Sequence, residues 1–289
     1  MLYKYTNGNA TIEIDNDGTR TIEYEDELKL EFPLNVDIRV QTICPLGYNA
    51  KTGKAICEFC HESATTDGTE CDYDALLDKL DGLPQGIELA IGCNIFTDNL
   101  YKFLKECYNR GYICNLTVNQ LSIKKHEKIL MNAIYNNYVR GLGLSYRSFA
   151  DFNIPQFFKD YDNTVIHVIA GIDDIDEVVK LDAKKILVLG EKDFGFNKGK
   201  VDLNSYSHKK WYWYIRKLFD IFDVVSFDNL ALEQLNIKRF LPDDQYDMFY
   251  QGEHSFYINA VTQTFSRSSR SAETVSWDVG IPEYFKTIG

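Results

Sequence analysis

Thr164-Val165-Ile166-His167-Val168-Ile169-Ala170-Gly171 and Lys185-Ile186-Leu187-Val188-Leu189-Gly190 are short apolar runs that each end on a glycine. Runs of this length, rich in Val and Ile, suit strands buried on both faces. Five more of the same kind are Val36–Ile43, Ile87–Gly92, Tyr112–Val118, Val139–Ser145 and Asp223–Phe227. Amphipathic stretches separate them. In Asp98–Asn109, for example, Leu100, Phe103, Leu104 and Cys107 recur at helical spacing. Strands alternating with helices imply parallel strands joined by right-handed crossovers. Six or seven such units fit an open sheet or a partial α/β barrel, short of the eight units of a full barrel.

The pattern changes at both ends. Thr11-Ile12-Glu13-Ile14, a turn at Asp15-Asn16-Asp17-Gly18, and Thr21-Ile22-Glu23-Tyr24 predict a β-hairpin. Near the C-terminus, Pro242–Tyr250 has a helical pattern and Ser255–Ser268 alternates like a second hairpin. The predicted organisation is an N-terminal β-hairpin appendage over 1–35, an α/β body over 36–240, and a helix-plus-hairpin extension over 241–289.

Composition narrows the function. The 289 residues are 45% hydrophobic, enough for a large core. The net charge of −12 disfavours bulk nucleic-acid binding, while a nucleotide or peptide substrate stays open. No apolar leader follows Met1, and no stretch approaches the ~20 apolar residues of a membrane span. The expected location is cytoplasmic, where seven cysteines are thiols or metal ligands rather than disulfides.

Three of those cysteines carry the chemistry. Cys44 follows the first core run, and Cys57 and Cys60 close the loop after it in Cys57-Glu58-Phe59-Cys60-His61-Glu62. Parallel α/β folds place their sites at the carboxyl ends of strands. Three thiolates hold three irons of a cubane and leave the fourth iron open to a small molecule. Other readings of the same residues remain. Cys57-Glu58-Phe59-Cys60-His61 matches a haem-attachment pattern, which normally goes with export. A structural zinc site would use Cys44, Cys57, Cys60 and His61 or recruit Cys71, but a second C-x-x-C pair is missing. Cys93, Cys107 and Cys114 lie in or beside core runs and fit buried thiols.

These cysteines resemble the motif of the radical SAM superfamily, in which an aromatic residue precedes the third cysteine, as Phe59 precedes Cys60. The first gap departs from the family pattern, because twelve residues separate Cys44 from Cys57. The insert Pro45–Ile56, with Gly47 and Gly53, has the composition of a flexible excursion. Ala90-Ile91-Gly92-Cys93-Asn94 is similar to the family's Gly-Gly-Glu motif at Gly92 alone, with Asn94 in place of the acid. Asn119 and Ser145 end runs that resemble the third and fourth strands of the family. Gly171 and Gly190 end those that resemble the fifth and sixth. The C-terminal segment is similar to a type of radical SAM protein of unassigned activity found in phage and gut bacteria.

The resemblance implies a partial (β/α)6 barrel. It also implies a [4Fe–4S] cluster on Cys44, Cys57 and Cys60, with S-adenosylmethionine (SAM) bound near Phe59, Gly92, Asn94, Asn119, Ser145, Gly171 and Gly190. The implied reaction is reductive cleavage of SAM to a 5′-deoxyadenosyl radical that takes hydrogen from a small-molecule, nucleotide or peptide substrate. The electron would come from a flavodoxin or ferredoxin. The alternative is a non-catalytic or zinc-stabilised α/β binding protein with a degenerate SAM site.

Tyr146, Arg147, Glu191, Lys192, Asp228 and Asn229 are substrate-side candidates by position past strand ends. His167, inside an apolar run, is expected to be a satisfied core histidine. Trp211-Tyr212-Trp213-Tyr214 has the look of a base-stacking platform but is more often a core face. Pro45–Ile56 and the C-terminal hairpin are candidate lids.

Overall fold

The structure is a computed structural model that describes residues 1–148, 154–242 and 254–288. All seven apolar runs form strands: β4 (Asn35–Arg39), β6 (Glu88–Cys93), β7 (Ile113–Asn119), β8 (Gly141–Ser145), β9 (Thr164–Ile169), β10 (Lys185–Leu189) and β11 (Val224–Phe227). They pair in parallel and in chain order, each strand beside the next. A right-handed crossover repeated in one direction puts every connecting helix on the same face of the sheet.

One face is therefore packed and the other is not. Leu89 and Ile91 of β6, Leu116 and Val118 of β7, Leu142 and Leu144 of β8, and Ile166 and Val168 of β9 are buried. Their neighbours Ala90, Asn115, Thr117, Gly143 and His167 line a cavity of about 360 Å³ on the opposite side. The expectation that these strands are buried on both faces is corrected: they alternate, because the second face opens on a cavity. Each fully buried Leu or Ile on the helix side contributes about 1.5–3 kcal/mol. Helix α2 (Asp98–Asn109) shows how that side is built. The Leu100 N–H donates to the Thr97 hydroxyl at its start, and Leu100, Phe103, Leu104 and Cys107 turn inward.

The N-terminal appendage has one strand more than its predicted hairpin. Strands β1 (Tyr3–Asn7), β2 (Ala10–Ile14) and β3 (Arg20–Tyr24) form an antiparallel sheet, with Ile12 opposite Ile22. This sheet docks at the amino ends of the parallel strands. Arg20 pairs with Glu88, and the Arg140 guanidinium donates to the Asn16 carbonyl at 3.2 Å. The turn Asp15–Gly18 lines the lower end of the cavity.

The C-terminal hairpin, β12 (Ser255–Asn259) and β13 (Thr264–Ser266), is present as expected. It is not a free flap: β12 pairs in parallel with β4, and β14 (Val275–Ser276) extends the sheet to ten strands. The sheet has two ends and is not closed. The helix expected over Pro242–Tyr250 lies, beyond Pro242, outside the described residues. No helix among the described residues is long and apolar enough to cross a membrane.

Candidate functional site

Strand β4 ends at Arg39, four residues before the end of its apolar run. The chain then forms β5 (Ile43–Tyr48), which carries Cys44 and bridges to Thr65. The insert Pro45–Ile56 is folded rather than loose. The Asn49 N–H donates to the Lys54 carbonyl at 2.8 Å, and the Ile56 and Cys57 N–H groups donate to the Leu46 carbonyl at 3.0 and 3.1 Å. Those last bonds bring Cys57 back beside the strand that holds Cys44.

Cys44, Cys57 and Cys60 are free thiols, each half-buried. Each pair lies close enough for one thiol's charge to act on the other. Burial pushes the Cys57 thiol up to about 11, while the charge of Arg147 works in the opposite sense. Arg147 stacks its guanidinium over the Phe59 ring at 5.2 Å. It is buried and held by the fully buried Asp173 at 3.4 Å. The Asp173 carboxylate also accepts from the Ile169 and Ser148 N–H groups, at 2.7 and 3.0 Å. A fixed cation thus stands beside the thiol cluster, where thiolates need one.

The donor set therefore suits a thiolate-held metal centre in residue type and local charge, but not in spacing. Among the described residues, no group of three or more His, Cys, Asp or Glu side chains is already drawn into a metal-holding arrangement. The three thiols are neighbours, and their side chains would have to converge to share one centre. His61 does not face them as a fourth ligand through Nε2, which meets Glu62 at 3.2 Å and the Lys192 ammonium at 3.3 Å.

The cysteine loop is fastened to both sides of the parallel sheet. Arg39 at the end of β4 ion-pairs with Glu62 at 2.8 Å. Past β10, Lys192 reaches His61, and the Phe196 N–H donates to the Cys60 carbonyl at 3.0 Å. Gly195 has φ +61°, and a Cβ there would lie 2.3 Å from the His61 carbonyl oxygen, so only glycine allows this approach. In a flat sheet, β4 and β10 would stand five strand spacings apart, about 24 Å. Two adjacent loop residues, His61 and Glu62, contact both sides, so the loop ties β4 to the chain past β10.

The expected SAM-side residues separate into two groups. Asn119 and Ser145 pair across β7 and β8, and Ser145 pairs with His167 of β9, giving a polar row along one face. A Cβ added to Gly92 would meet nothing within 4 Å, so that strand end faces open space. Gly171 and Gly190 are different. A Cβ at Gly171 would strike the His208 ring at 2.1 Å, and one at Gly190 would strike Leu230 at 2.5 Å. The close approach expected of a ligand at these glycines is made by the protein itself. The Asn94 side chain has no hydrogen bond to the described residues, while its N–H donates to Gln41 at 3.0 Å.

The substrate-side candidates also divide. Arg147 stands beside the cysteine loop, over Phe59 and within reach of the Cys57 charge. Glu191 is buried, accepts from the Asn197 amide at 3.0 Å and lies 3.4 Å from His208. Asp228 caps a helical turn, accepting from the Ala231 N–H at 2.7 Å, and Asn229 opens that turn. Tyr146 packs against the core.

His167 is not the satisfied core residue expected. Its ring lines the cavity, against the site where a Gly143 side chain would stand. In the aromatic stretch, Trp211 is core and donates to the Asp173 carbonyl at 2.7 Å, while Trp213 is largely exposed. Tyr212 and Trp213 pack edge to face at 5.3 Å rather than as a flat stacking surface.

Gln41 is a site residue that sequence reasoning missed. It is 1% exposed and clamps the start of the cysteine loop to the turn after β6. Neither any model of a known protein family nor any curated protein matches the sequence.

Proposed function

We propose that this chain is a radical SAM enzyme. In this reading Cys44, Cys57 and Cys60 hold a [4Fe–4S] cluster, and the sheet curls into a partial (β/α)6 barrel whose lumen takes SAM and substrate. The observation that carries it is the position of the three mutually close thiols. They stand past the carboxyl end of β4 in an in-order parallel sheet, whose face away from the helices opens, nearer the amino ends of the strands, on a cavity lined by Ala90, Thr117, Gly143 and His167. In-order strands with all helices on one face favour a barrel-like curl over a doubly wound sheet.

When bound, the cluster would supply one electron to the SAM sulfonium and so start radical chemistry. The chain's own residues have separable parts. Arg147 offsets thiolate charge and, with Phe59, walls the pocket. Gly92 and Asn94 border the space for the methionine end of SAM, and Asn119 and Ser145 border that for its ribose. The N-terminal sheet, docked beneath, limits water entry from the other end of the lumen.

The test is product formation. The anaerobically loaded full chain, reduced with dithionite in the presence of SAM, should release 5′-deoxyadenosine, and Cys57→Ala should abolish it. An assembled cluster that never yields 5′-deoxyadenosine would favour the second reading, a binding protein with a degenerate SAM site. The observation behind that reading is Asn94, a neutral amide where charge-assisted binding of an ammonium would need a carboxylate.

A further inference from the structure

A second cavity, of about 170 Å³, opens beside the cysteine loop. Asp37 of β4, Lys192 past β10, Asp228, Ser269, Arg267 and Arg270 line it. Three cations from two distant parts of the chain, Lys192 and the Arg267–Arg270 loop, thus meet in one small space.

Their partners are few. The Lys192 ammonium lies 3.3 Å from the Ser269 hydroxyl and 3.3 Å from His61 Nε2. Among the described residues no carboxylate is in ion-pair contact with it. The half-buried Arg270 guanidinium has no hydrogen-bond or ion-pair partner among the described residues, and it lies close enough to Lys192 for their charges to repel. Arg267 spends one N–H on the Ile288 carbonyl at 2.6 Å. Asp228, Glu62 and Asp37 each favour the Lys192 charge through space, but among the described residues none of them is in ion-pair contact with it. Asp228 accepts from the Gly190 and Ala231 N–H groups at 2.9 and 2.7 Å, and Asp37 makes no ion pair among the described residues.

Like charges held together away from bulk water are unfavourable without an anion between them. The loop that carries Arg270 is built to hold it there. The Arg270 N–H donates to the Ser268 hydroxyl at 3.2 Å, and the Ser268 N–H donates to the Ser271 hydroxyl at 3.1 Å. An overall charge of −12 makes a local cationic pocket selective rather than generic.

We propose that this cavity is an oxyanion subsite, in which a carboxylate or phosphate of the substrate sits between Lys192, Arg270 and the Ser269 hydroxyl. Its role in orienting substrate rests on the radical SAM reading, while anion binding itself does not. The subsite and the cysteine loop share the Lys192–His61 contact, so an anion seated here holds the rest of its molecule beside the loop.

Calorimetric titration of the full chain with inorganic phosphate, and separately with acetate, tests it. At least one probe should bind saturably at one site, and the stronger of the two identifies the group. Arg270→Gln should weaken that binding by about tenfold or more, the usual worth of a hydrogen bond to a charged group. Lys192→Met should do the same, Lys192→Arg should retain binding, and Lys159→Gln, at a remote surface pair, should leave it unchanged.

Arg270 lies in a surface loop, so an unchanged Tm in Arg270→Gln keeps the test valid even if Lys192→Met fails to fold. Absence of saturable binding of either probe, or binding equal in wild type and Arg270→Gln, overturns the subsite. Anion binding that follows Arg270 in a chain that takes up no iron would sink the cluster reading alone.

Discussion

Gln41 and Asn94 are 53 positions apart in the chain and are joined by one hydrogen bond, from the Asn94 N–H to the Gln41 side-chain oxygen at 3.0 Å. The Ile95 N–H donates to the same oxygen at 3.0 Å, and the Gln41 amide donates to the Ile95 carbonyl at 2.7 Å. Its second amide hydrogen goes to Glu70 at 2.9 Å. One buried side chain thus fixes the entry to the cysteine loop against the strand end expected to face SAM. Gln41→Leu should destabilise the fold by about 1–3 kcal/mol for each N–H left unpaired. Urea unfolding measures this, and an unchanged midpoint would remove Gln41 from the account.

Arg147 and Asp173 form a buried pair, so removing either partner alone leaves a stranded charge. Arg147→Met should cost about 3–5 kcal/mol. Asp173→Ala should cost a similar amount, because it also strands the Ile169 and Ser148 N–H groups. The double variant should lose clearly less than the sum of the two. A double-mutant cycle by urea unfolding gives the coupling directly, and strict additivity would argue against the pair.

His167 makes stability depend on acid. Burial holds its pKa down to about 4, whereas an ordinary histidine protonates near 6.5. The unfolded chain therefore takes up the proton first, and stability falls as pH drops from 6.5 to 4. His167→Gln removes that loss. Relative to wild type it should gain at most about 3 kcal/mol between pH 7 and pH 4, less where cavity water reaches the ring. Parallel pH profiles for the two proteins would contradict this placement of the ring.

Gly143 keeps His167 in place by its lack of a side chain. A Cβ there would stand 2.5 Å from the imidazole and 2.8 Å from the Thr117 hydroxyl. Gly143→Ala should push the ring into the lumen, destabilising the chain by about 1–3 kcal/mol as overpacking does. It should also weaken SAM binding more than the isolated loss of stability explains. Equal SAM affinity in the folded variant would place the ligand elsewhere.

Much of the architecture was legible because the apolar runs of a parallel sheet are long and regular. The period within them was not legible: Ile166 and Val168 face the helices and His167 faces the cavity, but an unbroken apolar run looks the same as a strand buried on both faces. Strand β5 was hidden because Pro45 and Gly47 signal a turn, and its pairing depends on Thr65, outside the local window. The site was only partly legible. Cysteine spacing pointed to Cys44, Cys57 and Cys60, but Gln41 and Asp173 act through partners far along the chain, and single-residue pattern carries no sign of that. Gly171 and Gly190 illustrate the opposite limit, since a glycine at a strand end looks the same whether a ligand or a neighbouring side chain fills the space.

The central claim is that the three thiols hold an iron–sulfur cluster, and elemental analysis of anaerobically purified full-length chain tests it most directly. The account predicts close to four irons per chain with a matching amount of sulfide. It further predicts an absorption band near ~400 nm and loss of both iron and band in Cys57→Ala. Stoichiometric zinc with no iron, retained through anaerobic reconstitution, would contradict it.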